Sequence, residues 1–270
     1  MRLIFSLFLA LVPLFASEPL AFTKEGRGTG VVLIHGLGGN RTVWAAWAKQ
    51  LRIGHAVLSV DLPGHGDSSA PLLKDQAVDL DAVARELAQL IHKQKLAPAI
   101  LVGHSLGGQM ALRVAAADPG AVQGVILLDG FLSPLPAQFV SQMVQGLAKD
   151  ATATLRGFFQ GMSAGPSQTE DLLRTAAKVK PEVFAGYFRA LGGPALNGAP
   201  IKAPVTLFAS VAFIPDPSKE AEALRQLGLV GLPKFQVQYF VNSHHWIMLD
   251  EPEALAVLFN DFETALLENR

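Results

Sequence analysis

The sequence predicts an α/β protein with a mostly parallel, doubly wound sheet. Three apolar runs in the first half of the chain carry this prediction, because a segment with helical spacing or a cap signal follows each of them. The runs cover residues 31–34, 56–60 and 99–102. Apart from Ser59 they are apolar without alternation, which is typical of strands that are buried on both faces of a parallel sheet.

Helices are predicted between these strands. Residues 42–51 carry Trp44 and Trp47 at helical spacing, so one face of this segment is expected to pack on the sheet. Asp79 or Asp81 can cap the next helix, since a carboxylate at that position accepts the free N–H groups of the first turn. Further strands are predicted at residues 125–128, 205–209 and 235–240, and a final helix at residues 253–267.

The alternation of strands and helices stops between Gly130 and Pro200. An insertion of about 70 residues is too long for a plain loop, and this one contains amphipathic segments and many aromatic residues. We expect helices that lie over the carboxyl end of the sheet as a lid, at about residues 131–200. The mature chain is otherwise predicted to be a single domain, residues 17–270.

The N-terminus has the pattern of a secretory signal peptide. Arg2 precedes an apolar run from Leu3 to Phe15, and the small pair Ala16-Ser17 follows. The run is short for a membrane span. We therefore expect residues 1–16 to be removed and the protein to be secreted or periplasmic, without a stable membrane span. An uncleaved anchor is the alternative.

Composition excludes several classes of function. The 270 residues include no cysteine, which excludes disulfides, thiolate metal sites and a cysteine nucleophile. The formal net charge is −1 with both signs interspersed, so nothing suggests nucleic acid or an anionic membrane surface as a partner. Histidines and carboxylates lack metal-ligand spacing and there is no glycine-rich phosphate loop. The sequence therefore predicts neither a metal nor a cofactor.

The segment Gly103-His104-Ser105-Leu106-Gly107 joins an apolar strand to a helical segment. A strand, a tight turn and a helix with a serine at the apex form a nucleophile elbow. Gly103 and Gly107 have no Cβ, and a Cβ on either residue would crowd the opposite arm of the turn. We predict that Ser105 is a nucleophile, presented at the positive end of the following helix.

A serine hydroxyl needs a base that takes its proton, and the base needs a third group that fixes its tautomer. His244 and His245 are candidates for the base, because they lie in a loop after the last predicted strand. Asp129 and Asp216 are candidates for the third group, because each follows a strand on the same side of that loop.

On these motifs the chain resembles the α/β-hydrolase fold superfamily of esterases, lipases and peroxidase-like serine hydrolases. The resemblance covers nearly the whole mature chain: His35-Gly36 after the first long strand, residues 61–68, the elbow and the histidine loop. In that family a few apolar residues, an acid and a proline follow the catalytic histidine. This register favours His245 over His244.

The acid departs from the family pattern. The family usually places it in a turn after the strand that corresponds to residues 205–209, and here Phe213 occupies the expected position. Some relatives, including haloalkane dehalogenases, carry the acid after the strand that here ends at Asp129. The resemblance therefore favours Asp129 as the acid and leaves Asp216 as the alternative.

The resemblance also implies where the oxyanion is stabilised. The backbone N–H of Leu106, directly after the nucleophile, is one expected donor, and the N–H of Leu37 in the loop after the first long strand is the second. His35 is expected to stabilise that loop by hydrogen bonding and not to take part in catalysis.

These predictions combine into a serine hydrolase that cleaves a small carboxylic ester or lactone through an acyl-enzyme on Ser105. The aromatic, weakly charged insertion favours an apolar acyl group. A carbon–carbon bond hydrolase, a perhydrolase or an acyltransferase would use the same residues. A non-catalytic ligand-binding protein with a vestigial triad is a further alternative, supported by the missing acid in the usual turn. The oligomeric state stays open.

Overall fold

Most strands of the sheet lie where the sequence has the apolar runs that predicted them. In a computed structural model, residues 20–71, 73–196 and 201–268 are described, and the predicted signal peptide, residues 1–16, lies outside them. The sheet strands are β1 (Phe22–Gly26), β2 (Thr29–Ile34), β3 (His55–Val60), β6 (Ala99–His104), β7 (Val122–Leu128), β8 (Val205–Ser210) and β9 (Gln236–Phe240). A separate hairpin consists of β4 (Leu73–Lys74) and β5 (Ala77–Val78).

The sheet has the order β1-β3-β2-β6-β7-β8-β9. All neighbouring pairs are parallel except β1 with β3, which confirms the mostly parallel sheet. In the central strands, Leu33, Leu101 and Ile126 are fully buried, as expected for strands that are covered on both faces. The sequence did not predict β1, because this short edge strand carries polar residues, with Thr23, Lys24 and Glu25 in its middle.

The helices are α1 (Ala45–Leu51), α2 (Leu80–Lys93), α3 (Leu106–Ala117), α4 (Ala137–Lys149), α5 (Ala151–Gln160), α6 (Pro166–Ala176), α7 (Pro181–Leu191), α8 (Glu220–Gln226), α9 (Ile247–Asp250) and α10 (Pro252–Glu268). Asp79, and not Asp81, caps α2 by accepting the N–H of Ala82 at 2.9 Å. Within the described ranges no helix is both long enough and apolar enough to span a membrane.

Helices α4 to α7, here called the helical insertion, lie between β7 and β8. The most buried of them is α7, which packs against α4 and the β5 hairpin and buries Phe184, Tyr187 and Phe188. The hydroxyl of Tyr187 donates to the carbonyl oxygen of Pro63 at 2.9 Å, which fastens the helical insertion to the loop after β3. That the helical insertion acts as a lid stays a prediction.

Candidate active site

The parallel strands bring five loops to one edge of the sheet. Because β2, β6, β7, β8 and β9 all run in the same direction, the segments that follow them meet at their carboxyl ends. Leu37, Ser105, Asp129 and His245 lie in the segments after β2, β6, β7 and β9, and Ser210 is the last residue of β8. The sheet therefore brings the predicted residues Leu37, Ser105, Asp129 and His245 to one edge, together with Ser210.

Ser105 has the backbone geometry of an elbow. Its φ is +51°, a region that costs a non-glycine residue about 1–3 kcal/mol. Its N–H donates to the carbonyl oxygen of Leu128 at 2.9 Å, and its own carbonyl oxygen accepts from the N–H of Gly108 at 2.9 Å. The strained conformation is thus held between β7 and the first turn of α3.

Both elbow glycines are required by close backbone contacts. A Cβ on Gly103 would lie 2.2 Å from the carbonyl oxygen of Gly107, on the opposite arm of the turn as predicted. A Cβ on Gly107 would instead lie 2.1 Å from the carbonyl oxygen of Ile34, at the end of β2. Gly107 therefore lets the helix approach the neighbouring strand, which corrects the expectation that it relieves the opposite arm.

The structure brings His245 together with Asp129. The Nδ1 atom of His245 lies 3.0 Å from Oδ2 of Asp129, and Asp129 is fully buried while His245 is 9% exposed. Because a carboxylate can only accept a hydrogen bond, the proton of the neutral imidazole resides on Nδ1 and the lone pair on Nε2. This is the tautomer that a general base requires.

The two alternative residues lie elsewhere. Asp216 is exposed, and its carboxylate accepts the hydroxyl and N–H of Ser218, hydrogen bonds that lower the pKa of the Asp216 carboxyl. The side chain of His244 is exposed, and its N–H donates to Asp250. Phe213, at the position where the family usually has its acid, has its ring 6.3 Å from the His245 ring.

The backbone of His245 is fixed from two directions. Its N–H donates to the carbonyl oxygen of Met162 in the helical insertion at 3.2 Å. Its carbonyl oxygen accepts Nε2–H of His104 at 2.9 Å, and the two imidazole rings lie 4.6 Å apart. His104 is fully buried, which lowers its pKa well below the usual range and keeps it neutral. These contacts could not be predicted from the sequence, because they join residues far apart along the chain.

A second connection joins the helical insertion to the histidine loop. The Oδ2 atom of Asp250 accepts the N–H of His244 at 2.8 Å, and its Oδ1 accepts the side-chain amide of Gln168 at 2.7 Å. Gln168 in turn accepts the N–H of Ala164 at 2.7 Å. The turn between α5 and α6 and the histidine loop therefore form one hydrogen-bonded unit.

Two buried histidines hold the loop that contains Leu37. His65 Nε2 accepts the N–H of Gly38 at 3.1 Å, and His35 Nε2 accepts the N–H of Leu62 at 3.0 Å. Burial lowers the pKa of His35 to about 4 and that of His65 to about 3, with the charge of His35 as a further cause for His65. Both rings are therefore neutral and can accept these bonds.

The two predicted oxyanion donors are the backbone N–H groups of Leu37 and Leu106. Among the described residues, no hydrogen bond engages the N–H of Leu37 or of Leu106. The loop and the elbow approach each other closely, since a Cβ on Gly36 would lie 3.2 Å from the Cβ of Ser105. Two unpaired N–H groups beside a serine are suited to stabilise a developing negative charge.

Ser105 and His245 open into one apolar cavity of about 270 Å³. They are the polar members of its described lining, which carries no charged side chain. The helical insertion contributes Phe139, Phe158 and Phe188, whose rings meet edge to face around Phe188 at 5.4–6.0 Å. In the described ranges, no cluster of three or more histidine, cysteine, aspartate or glutamate residues could hold a metal ion.

The sequence model of the alpha/beta hydrolase family matches residues 31–258. The chain belongs to this family. An esterase from Exiguobacterium antarcticum has the same fold with a TM-score of 0.78, at 18% identity over 90% of this chain and 94% of that protein. The fold class and the resemblance predicted from the sequence are thereby confirmed.

Two curated relatives match part of the chain. The pimeloyl-[acyl-carrier protein] methyl ester esterase of Methylococcus capsulatus is 34% identical over 163 residues, which cover 57% of this chain and 61% of that protein. The dihydrolipoyllysine-residue acetyltransferase component of the acetoin cleaving system of Pseudomonas putida is 38% identical over 126 residues, which cover 46% of this chain. The chain spans 33% of the length of this second relative.

Proposed function

We propose that the protein is a serine hydrolase that cleaves a carboxylic ester or lactone with an apolar acyl group, through an acyl-enzyme on Ser105. The observation that carries this proposal is the hydrogen bond from His245 to Asp129, beside a serine that opens into the same cavity. The names of the Methylococcus relative and of the Exiguobacterium structure, both esterases, support the reaction class.

The geometry suggests a role for each residue. Ser105 attacks the substrate carbonyl while His245 accepts its proton on Nε2, and the negative charge of Asp129 stabilises the imidazolium that forms. The N–H groups of Leu37 and Leu106 bind the oxyanion of the tetrahedral intermediate. His245 then protonates the leaving alcohol, takes a proton from the water that attacks the acyl carbon, and returns it to Oγ of Ser105 as the bond to the acyl group breaks and the acid leaves.

The uncharged lining of the cavity favours a substrate with an uncharged acyl group. A carboxylate or ammonium group that entered it would lose its hydration without gaining a partner, which is strongly unfavourable. The 270 Å³ cavity is close to the small end of ligand pockets, which measure about 300–1,000 Å³. Acyl chains of medium length are therefore expected to be the best substrates.

The position of Asp129 weakens the case for a non-catalytic binding protein. That alternative drew its support from the missing acid in the turn after β8. Here Asp129, directly after β7, contacts His245 instead. Carbon–carbon bond hydrolysis, perhydrolysis and acyl transfer to other acceptors use the same three residues. The preference for ester or lactone hydrolysis comes from the apolar cavity and the names of the relatives.

Hydrolysis of p-nitrophenyl butyrate tests the proposal. We expect the wild type to release p-nitrophenol far faster than buffer does, and Ser105→Ala and His245→Ala to lose nearly all of this activity. The exposed neighbour His244 supplies a matched control, since His244→Ala is expected to retain the wild-type rate. A wild type no faster than buffer, or an active Ser105→Ala, would contradict the proposal.

We also propose that the chain is exported and that residues 1–16 are its signal peptide. The support is the charged, apolar and small-residue pattern of the N-terminus. N-terminal sequencing of the protein from its native host is expected to begin near Ser17. A chain that still begins at Met1 would favour the uncleaved anchor or contradict export.

A further inference from the structure

The turn that usually carries the family's acid has a different use in this protein. We propose that Ser210, at the end of β8, is a positioning residue that holds the carboxylate of Asp129 in the plane required by His245. The inference rests on the proposed function, in which Asp129 orients the general base. Both Ser210 and Asp129 are fully buried, so no bulk water competes for these contacts.

Ser210 contacts both oxygens of the carboxylate. Its hydroxyl lies 2.7 Å from Oδ2 of Asp129, the same oxygen that accepts Nδ1–H of His245 at 3.0 Å. Its backbone N–H donates to the other oxygen, Oδ1, at 2.8 Å. The χ2 torsion of an aspartate is broad, so the side chain alone does not fix its plane. Two donors from one residue, one to each oxygen, do fix it.

The hydroxyl of Ser210 is itself oriented by the turn. The N–H of Phe213 donates to its oxygen at 3.2 Å, which occupies a lone pair and leaves the hydroxyl hydrogen for Asp129. The N–H groups of Phe213 and Ile214 also donate to the carbonyl oxygen of Ser210, both at 3.0 Å. The turn after β8, which lacks the usual acid, therefore helps to orient His245 through Ser210 and Asp129.

Asp129 needs such support more than an ordinary loop aspartate does. Its φ is +46°, in the left-handed region that non-glycine residues rarely adopt. Its carboxylate has no exposed surface, and a buried charge is tolerated only when its oxygens receive hydrogen bonds. Without the Ser210 hydroxyl, His245 would be the remaining donor to Oδ2 among the residues that the structure describes, and the carboxylate could turn away from the imidazole.

The first measurement compares kcat and KM of purified variants. Ser210→Ala is expected to lower kcat about tenfold or more with little change in KM, because the lost hydrogen bond to a charged group matters most when the imidazolium forms. Ser210→Thr, which keeps a hydroxyl, is expected to recover most of the loss. Thr206→Val is the matched control: Thr206 is a buried residue on the same face of β8, and this variant should keep the wild-type kcat.

The second measurement does not depend on turnover. The Nδ1 proton of His245 is expected to give a low-field proton NMR signal in the wild type and in Thr206→Val, and to lose it through rapid exchange in Ser210→Ala. If Ser210→Ala does not fold, Ser210→Cys takes its place, since a thiol is of similar size and donates weakly. A Ser210→Ala or Ser210→Cys protein with unchanged kcat and an unchanged signal would overturn the inference.

The two measurements separate the inference from the proposed function. If the wild type does not hydrolyse esters but the signal disappears only in the Ser210 variant, the proposed function fails and the positioning role stands. If the wild type hydrolyses esters and the Ser210 variant matches it in kcat and in the signal, the positioning role fails and the function stands.

Discussion

At the scale of single residues, the site depends on contacts between distant parts of the chain. The oxygen of Asp129 that faces His245 also accepts from Ser210, and these three residues lie at or after the carboxyl ends of three different strands. The sequence could place Ser105 from its own neighbours, because an elbow is a local pattern. It could only rank Asp129 above Asp216, since the choice depends on which strand end lies beside the histidine.

Substitution of each aspartate tests whether Asp129 or Asp216 is the acid of the triad. Asp129→Asn is expected to lower kcat by about 10⁴, because the amide favours the wrong tautomer of the imidazole. Asp216→Asn is the control, and since Asp216 is exposed and caps its own turn, full activity is expected. Initial rates with p-nitrophenyl butyrate decide the matter. Equal activity of Asp129→Asn and wild type would remove Asp129 from the triad.

At the scale of secondary-structure elements, the carboxyl edge of the sheet carries the candidate catalytic residues, and residues 131–191, which include the helical insertion, supply most of the described cavity lining. The long apolar strands were predictable because each is buried on both faces. The edge strand β1 and the hairpin of β4 and β5 were not, because β1 is polar in its middle and β4 and β5, with two residues each, are too short to show a pattern. The N–H of His245 donates to Met162, and Gln168 donates to Asp250; both contacts depend on how α5 and α6 pack, which periodicity does not encode.

The helical insertion is expected to set the acyl-chain length. Phe139 of α4 lines the cavity and its ring packs against Phe188, so Phe139→Ala should lengthen the space and shift the preference among p-nitrophenyl esters towards longer acyl chains. Met143, one turn further along α4, is buried outside the described lining and provides the control Met143→Ala. A chain-length profile that shifts equally in both variants, or in neither, would contradict this assignment.

At the scale of the whole molecule, the buried histidines make stability depend on pH. The pKa of His35 is about 4 and that of His65 about 3 in the folded protein, against an ordinary value of 6.5. Below pH 6.5 these histidines bind protons in the unfolded chain but not in the folded chain, so acidification favours unfolding. His104, whose pKa burial also lowers, acts in the same direction.

The free energy of unfolding is therefore expected to fall as the pH decreases from 6.5 towards about 3 to 4. Each of these histidines contributes a slope that approaches about 1.4 kcal/mol per pH unit once the unfolded form is protonated. Urea unfolding at pH 7.5, 6.0 and 5.0, followed by circular dichroism, measures the trend. A free energy that stays constant or rises over this interval would show that these histidines are not buried as neutral acceptors.

The central claim is that Ser105 is a nucleophile activated by His245 and Asp129. Mass spectrometry after treatment with a fluorophosphonate tests it most directly, because the reagent traps an activated serine covalently. We expect one adduct per chain, located on the peptide that contains Ser105, with none in Ser105→Ala and slow formation in Asp129→Asn. An unlabelled wild type, or an adduct on another residue that persists in Ser105→Ala, would contradict the claim.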